Sequence, residues 1–289
     1  MVFFITLRPW QWPKNLLILL PIFLSKTEGI KVEYLVEPFI TLLLFNLLAS
    51  GNYIINDIRD YEMDKLHPKK KYRPIANGEL EIKNAKRLSL LLVSTAIFFV
   101  SFIEVKLMIL FLIYFFLVNL YTLYVKKLIF LNTILLSIFF LIRLFIGSIA
   151  SEVELSNSLV IYVFFTSHLL GSLKKKSILS NKRIKQSDYT ETLWREDKKF
   201  SINKSINISL FLSNMTLVSW SFENLILQKD NFLLTVFIFL ILHFLFTLRL
   251  YKSSKEGYLE DFILGIVENK KLFIHLLLLG ILFSYLYFI

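Results

Sequence analysis

The chain has 289 residues, 56% of them hydrophobic, with 29 Phe and a net charge of +11. A soluble core of that length cannot hide so much apolar surface, and a mean hydropathy of +0.62 points to lipid as the solvent. There is no cysteine, which excludes disulfide and thiolate chemistry, and the four histidines lack metal-ligand spacing.

The N-terminal run Arg8-Pro9-Trp10-Gln11-Trp12-Pro13-Lys14 interrupts the apolar start before any small-residue cleavage site, so no cleavable leader is expected. Long uncharged blocks then predict spans near 15–24, 34–56, 88–103, 107–125, 128–150, 157–173, 205–222, 232–250 and 272–289. The first is short, and Pro21 is expected to kink it. No dyad alternation of the kind a closed barrel needs is present. The expected architecture is an all-α polytopic membrane bundle of about nine transmembrane helices, in a single domain over 1–289.

Charge sets the topology. With the N-terminus inside, 27 of the 33 Lys and Arg fall on the inner side, most of them in loops 57–87 and 174–204. Only Lys26, Lys31, Lys106 and Lys229 fall outside, and Arg143 and Arg249 lie in or at the edge of spans. The positive-inside rule therefore accounts for the basic balance, and no nucleic-acid partner is expected.

The most informative stretch follows the second span. Asn56, Asp57, Asp60 and Asp64 fall at i, i+1, i+4 and i+8, so a continuing helix puts the three carboxylates on one face. Such carboxylates repel unless a cation neutralises them, and an all-oxygen set suits Mg²⁺, which prefers a few carboxylates plus phosphate oxygens. Lys69-Lys70-Lys71-Tyr72-Arg73-Pro74-Ile75-Ala76-Asn77-Gly78 comes next. Carboxylates for a metal followed by cations for phosphate make the two halves of a diphosphate site, and Pro74 and Gly78 turn the backbone there. For the three lysines alone, a purely topological role is an equal reading.

The run from Asn56 to Gly78, ending His67-Pro68-x-Lys70-x-x-Arg73-Pro74-Ile75-Ala76-x-Gly78, resembles the first aspartate-rich motif of the UbiA superfamily of intramembrane prenyltransferases. More narrowly, the chain resembles the decaprenyl-phosphate phosphoribosyltransferase branch. The matches are Arg8-Pro9-x-Gln11-Trp12-x-Lys14-Asn15, Tyr121 with Lys126, Leu141-Ile142-Arg143 with Gly147, Ser187-x-Tyr189-Thr190, and Glu260-Asp261. The resemblance implies a cytoplasmic cap over a central cavity, in a bacterial inner membrane, with the site facing the cytoplasm. It implies Mg²⁺ on Asn56, Asp57, Asp60 and Asp64, and donor phosphates on Lys70, Arg73, Tyr121 and Lys126. Lys14 and Asn15 would meet the lipid phosphate, and Tyr189 with Thr190 would close the site. For Trp10, Trp12 and Tyr121 an interfacial belt position is an alternative reading.

The usual second aspartate motif of the superfamily is missing after the sixth span. Lys174-Lys175-Lys176, Lys182, Arg183 and Lys185 stand there instead, and Asp188 and Glu191 lack paired-carboxylate spacing. Lys174 and Lys175 fit a substrate with extra phosphates, or simply the positive-inside rule. Leu173, Lys176 and Ile178 depart from the branch, which has Gly, Tyr and Glu at those places. Arg143 reads as structural or cavity-lining and His168 as a packed polar residue.

The activity implied is transfer of 5-phosphoribose from phosphoribosyl diphosphate to a polyprenyl phosphate. The alternatives are prenyl transfer from a prenyl diphosphate and, in another class, a transporter with an acidic ion site. Against the transporter, the triad lies at an inner helix end and no inverted repeat is visible. Isoprenoid length and oligomeric state leave no mark in the sequence.

Overall fold

A computed structural model describes residues 2–25, 32–67, 69–125, 129–180, 199–226, 233–259 and 262–288. Most of those residues are helical, with no strand among them. They fall into two compact units that divide at Glu154 and Leu155.

The first unit opens with α1 (Val2–Leu7), then Arg8 in a left-handed backbone, then a 3-10 segment Pro9–Leu19 that runs into α2 (Leu20–Phe23). The first predicted span is thus 3-10 over its first half, and the helical winding starts earlier than expected. Pro13, inside the segment, lacks the N–H that an α-helix would use there, while Pro9 stands at its first position. Pro21 sits in the first turn of α2, where a missing N–H costs little. Next come α3 (Val32–Arg59), α4 (Tyr61–Leu66), a 3-10 turn (Lys70–Tyr72), α5 (Ile82–Val100), α6 (Val105–Leu120) with a π turn (Tyr121–Val125), and α7 (Ile129–Ala150).

The α3–α5 contact depends on small residues. Ala85, Ser89, Val93, Ala96 and Val100 form the buried stripe of α5, and Ser89 Oγ donates to the Gly51 carbonyl at 2.9 Å. Small side chains let helix backbones approach closely, the usual basis of packing where lipid removes the hydrophobic drive between helices. Phe45 and Phe111 meet edge-on at 5.4 Å in the core beside Leu107 and Ile146. Leu90, Phe102 and Phe116 point outward, an arrangement suited to hydrocarbon surroundings.

The second unit holds α8 (Asn157–Ser180), α9 (Lys199–Ser221) with a π turn (Phe222–Ile226), α10 (Leu233–Lys255), α11 (Phe262–Glu268) and α12 (Lys270–Phe288). Lys174–Lys176 therefore belong to a helix rather than a loop: lysine is a good helix former, and cations favour a helix C-terminus. Serines line the α8–α9 seam, where His168 Nε2 bonds Ser205 Oγ at 2.9 Å, in keeping with its expected packed role. Tyr162, His243 and Asn214 tie α8, α10 and α9 together through bonds of 3.0 and 3.1 Å.

Among the described residues, four helices are long and apolar enough to cross a membrane: Glu33–Arg59, Val105–Val125, Leu131–Ala150 and Leu233–Lys255.

Candidate active site

The acidic motif sits where α3 gives way to α4. The expected unbroken helix does not form: α3 ends at Arg59, and Asp60 lies between the two helices at φ −86°, ψ 3°. The chain bends without losing its backbone bonds, since Asp60 N reaches the Asn56 carbonyl at 2.9 Å and Asp64 N reaches that of Asp60 at 2.8 Å. Asp57 and Asp64 consequently still converge on one cation.

That cation is Arg73. Its Nη1 donates to Asp57 Oδ1 at 2.9 Å and to Asp64 Oδ2 at 2.5 Å. Arg8 donates to the same Asp57 oxygen, and Lys70 Nζ lies 3.9 Å from Asp64 Oδ1. Asn56 Nδ2 donates to Asp60 Oδ2 at 3.1 Å. Asp57 is 4% and Asp64 1% exposed, so these are substantially desolvated charges. Burial pushes the Asp64 carboxyl above the usual range, with Arg73 and Lys70 opposing it and Asp57 adding to it.

Local folding aims the arginine. Ile75 and Leu80 are buried against Ile54 and Ala85, anchoring the loop to α3 and α5. Asn77 N bonds the Arg73 carbonyl at 2.9 Å, Leu80 N bonds that of Pro74 at 2.8 Å, and Gly78 supplies the positive φ of 85° the turn requires. His67, 2% exposed, holds the near side: its Nδ1 accepts the backbone N–H groups of Lys69 and Lys70, both at 3.2 Å. Burial, then Lys70, Arg73 and Lys69, push its pKa down to about 4, which keeps that acceptor free of a proton.

Arg8 was outside the candidate set read from the sequence. The 3-10 segment lies antiparallel on α3, pinned by Arg8 to Asp57, by Trp12 Nε1 to Ser50 Oγ at 3.1 Å, and by Asn15 Nδ2 to Asn46 Oδ1 at 2.7 Å. Trp12 is thus a structural donor as well as an aromatic near the helix mouth. Asn15, fully buried, also accepts from Arg143 Nε at 2.8 Å. Arg143 has two more partners, the Phe139 carbonyl at 2.6 Å and Tyr114 Oη at 2.8 Å. It therefore locks the segment to α7, the structural role expected of it, with partners now named.

The other candidates are placed as follows. Lys14 donates to Gln11 Oε1. Tyr121 accepts from Asn132 Nδ2 at 3.1 Å and packs edge-on against Phe139. In the second unit Lys174 is exposed, while Lys175 is 3% exposed, and burial pushes its pKa down to about 7. Lys176 Nζ donates to Asn203 Oδ1 at 2.7 Å and to Tyr251 Oη at 3.3 Å. Lys126 and Tyr189 lie outside the described residues, as do Lys182, Arg183, Lys185, Asp188, Thr190, Glu191, Glu260 and Asp261.

Among the described residues no three His, Cys, Asp or Glu side chains already converge as a metal cage. Asp64 Oδ1 is buried with no hydrogen-bond partner, and Arg73 holds Asp57 and Asp64 on the same guanidinium nitrogen. Such donors fit a hard cation that takes one or two carboxylates and draws its remaining ligands from phosphate and water.

The UbiA prenyltransferase family model matches residues 17–185. The chain belongs to the UbiA prenyltransferase family. It is accordingly an integral membrane protein and a transferase. Decaprenyl-phosphate phosphoribosyltransferases from Mycobacterium tuberculosis and Mycolicibacterium smegmatis are similar to it at 40% identity over 75 residues and 43% over 74 residues. Each match covers 25% of this chain, and 25% and 23% of the respective relatives, so it spans about a quarter of their length. Digeranylgeranylglyceryl phosphate synthase from Saccharolobus solfataricus is 46% identical over 50 residues, covering 17% of each chain. A UbiA homolog from Archaeoglobus fulgidus, solved bound to DMAPP and Mg²⁺, superposes with a TM-score of 0.70 at 14% identity, covering 99% of this chain and 97% of that one. The fold is therefore the UbiA fold.

Proposed function

We propose that the chain transfers 5-phosphoribose from phosphoribosyl diphosphate to a polyprenyl phosphate, giving polyprenyl-phosphoryl-5-phosphoribose and diphosphate. In this reading all of 1–289 is one UbiA-like domain of about nine spans, set in a bacterial inner membrane with its site open to the cytoplasm. The observation that carries it is the cluster of Asp57 and Asp64 with Arg8, Lys70 and Arg73, which suits a metal-bound diphosphate. The choice of a phosphoribosyl donor rests on similarity to the phosphoribosyltransferases and on lysines standing where a second aspartate motif is usual.

Asp57, Asp60 and Asp64, with Asn56, would hold Mg²⁺. When bound, the ion supplies Lewis-acid stabilisation of the leaving diphosphate. Arg73 and Lys70, with Lys126, neutralise the charge that grows on that diphosphate as the anomeric C–O bond breaks. Lys14, which donates to Gln11, would meet the acceptor phosphate, and Asn15 keeps the segment in position. The sequence offers Tyr121, Lys174, Lys175 and Tyr189 as further candidate phosphate ligands. The acceptor phosphate is largely ionised at neutral pH, so its oxygen attacks the anomeric carbon without a general base. Positioning and electrostatics then supply the rate, through an oxocarbenium-like sugar.

Prenyl transfer is the competing reading, favoured by the fold it shares with the DMAPP-bound homolog. Purified protein given each donor in turn, with Mg²⁺ and polyprenyl phosphate, separates the two. Labelled lipid from labelled phosphoribosyl diphosphate supports the proposal; turnover of a prenyl diphosphate alone overturns it.

A further inference from the structure

Two buried carboxylates are already paired with three cations in the site: Asp57 and Asp64 with Arg8, Arg73 and Lys70. Mg²⁺ arriving alone would place two uncompensated positive charges beside carboxylates that are 4% and 1% exposed. Diphosphate arriving alone would have to draw both guanidiniums away from Asp57 and leave Asp64 with Lys70 alone, 3.9 Å away. Only joint arrival lets every group exchange partners at once, carboxylates to metal and guanidiniums to phosphate, which arginine's planar fork suits well.

Arg8 is built for such an exchange. Its backbone is held at φ 55°, ψ 58°, a left-handed conformation that a non-glycine residue keeps only where its surroundings impose it. On one side Leu7 O accepts from Ser50 Oγ at 2.9 Å; on the other Gln11 N bonds the Arg8 carbonyl at 2.9 Å. The backbone is therefore clamped, while the long side chain reaches past the Tyr53 ring, 5.5 Å from the guanidinium carbon, to Asp57. Strain of this kind concentrates at ligand clamps.

We propose that Arg8 is a further ligand of the donor diphosphate, parked on Asp57 until metal and diphosphate bind together, so that the two bind with positive coupling. The inference rests on the reading that this site takes a metal-bound diphosphate. A static bridge that merely pins the 3-10 segment would give no such coupling.

The test is equilibrium binding to the full chain in detergent, with Mn²⁺ as a spectroscopically visible metal and inorganic pyrophosphate as the anion. In the wild type, saturating pyrophosphate is expected to tighten Mn²⁺ binding by at least about tenfold. Arg8→Gln should bind Mn²⁺ alone more tightly and pyrophosphate more weakly, and the enhancement should fall below about threefold. Arg8→Lys, which keeps the charge but loses the fork, should lie between them and serves where the Gln variant folds poorly. Undiminished enhancement in a folded Arg8 variant overturns the proposal while leaving the Mg²⁺–diphosphate reading intact. Pyrophosphate that binds the wild type without changing Mn²⁺ affinity does the same. No Mn²⁺–pyrophosphate binding to any form overturns both.

Discussion

Gly147 of α7 faces the Ile18 carbonyl so closely that a Cβ there would lie 2.1 Å from the oxygen and 2.8 Å from the carbon. Real Cβ atoms essentially never come within 3.0 Å, and the obstacle is backbone, so in Gly147→Ala the 3-10 segment must retreat by about 1 Å. The Asn15–Arg143 bond, now 2.8 Å, does not survive a shift of that size. Overpacking typically costs about 1–3 kcal/mol, and a buried hydrogen bond to a charged group about 1.5–3 kcal/mol more. At roughly 2–4 °C per kcal/mol for a domain of this size, Tm should fall by on the order of 10 °C. Thermal unfolding of detergent-solubilised protein measures it. Gly280→Ala is the control, because nothing lies within 4 Å of its added Cβ. The same retreat draws Arg8 from Asp57, so pyrophosphate affinity should drop as well. A Gly147→Ala protein with wild-type Tm and wild-type pyrophosphate binding would refute the account of how this segment is held.

Three further outcomes are expected. Asp60→Ala should abolish transfer while membrane insertion, followed by fractionation, stays normal; retained turnover would remove the triad from the mechanism. The folded pKa of His67, about 4, lies below its ordinary value of 6.5, so the unfolded chain binds the extra proton first. Stability should therefore be full above pH 6.5 and fall by up to about 1.4 kcal/mol per pH unit between 6.5 and 4, a slope that His67→Ala should lack in acid unfolding series. Lys175 is also depressed, to about 7 from 10.5, so its burial is most costly below pH 7 and relieved as pH rises toward 10.5. Lys175→Met should consequently be more stable than wild type at pH 6, with the gap closing by pH 10; a gap independent of pH would contradict the assignment.

Much of this was legible in the sequence for identifiable reasons. Uncharged runs of Phe, Ile and Leu announce lipid-facing helices whatever their tertiary partners. The carboxylates Asp57 and Asp64 and their cations Lys70 and Arg73 could be read as one charged cluster because all of them belong to one local stretch. Arg8 escaped because its partner is 49 residues away, and nothing local separates a clamp from a flanking charge. The 3-10 winding of Pro9–Leu19 escaped because hydropathy records burial, not helical pitch. Likewise α8 runs on to Ser180 through Lys174–Lys176, where a drop in hydropathy marks an end of the apolar span but not of the helix. The bend at Asp60 needed the structure too, since no glycine or proline announces it.

The central claim is that the Asp57–Arg73 cluster serves transfer of a phosphoribosyl group to a lipid phosphate. Its most direct test is product analysis after incubating the purified protein with Mg²⁺, labelled phosphoribosyl diphosphate and polyprenyl phosphate. The account predicts a labelled lipid, with diphosphate released in equal amount and both products absent in Asp60→Ala. Labelled lipid failing to form at every polyprenyl length tried, while the same preparation consumes a prenyl diphosphate, would contradict it.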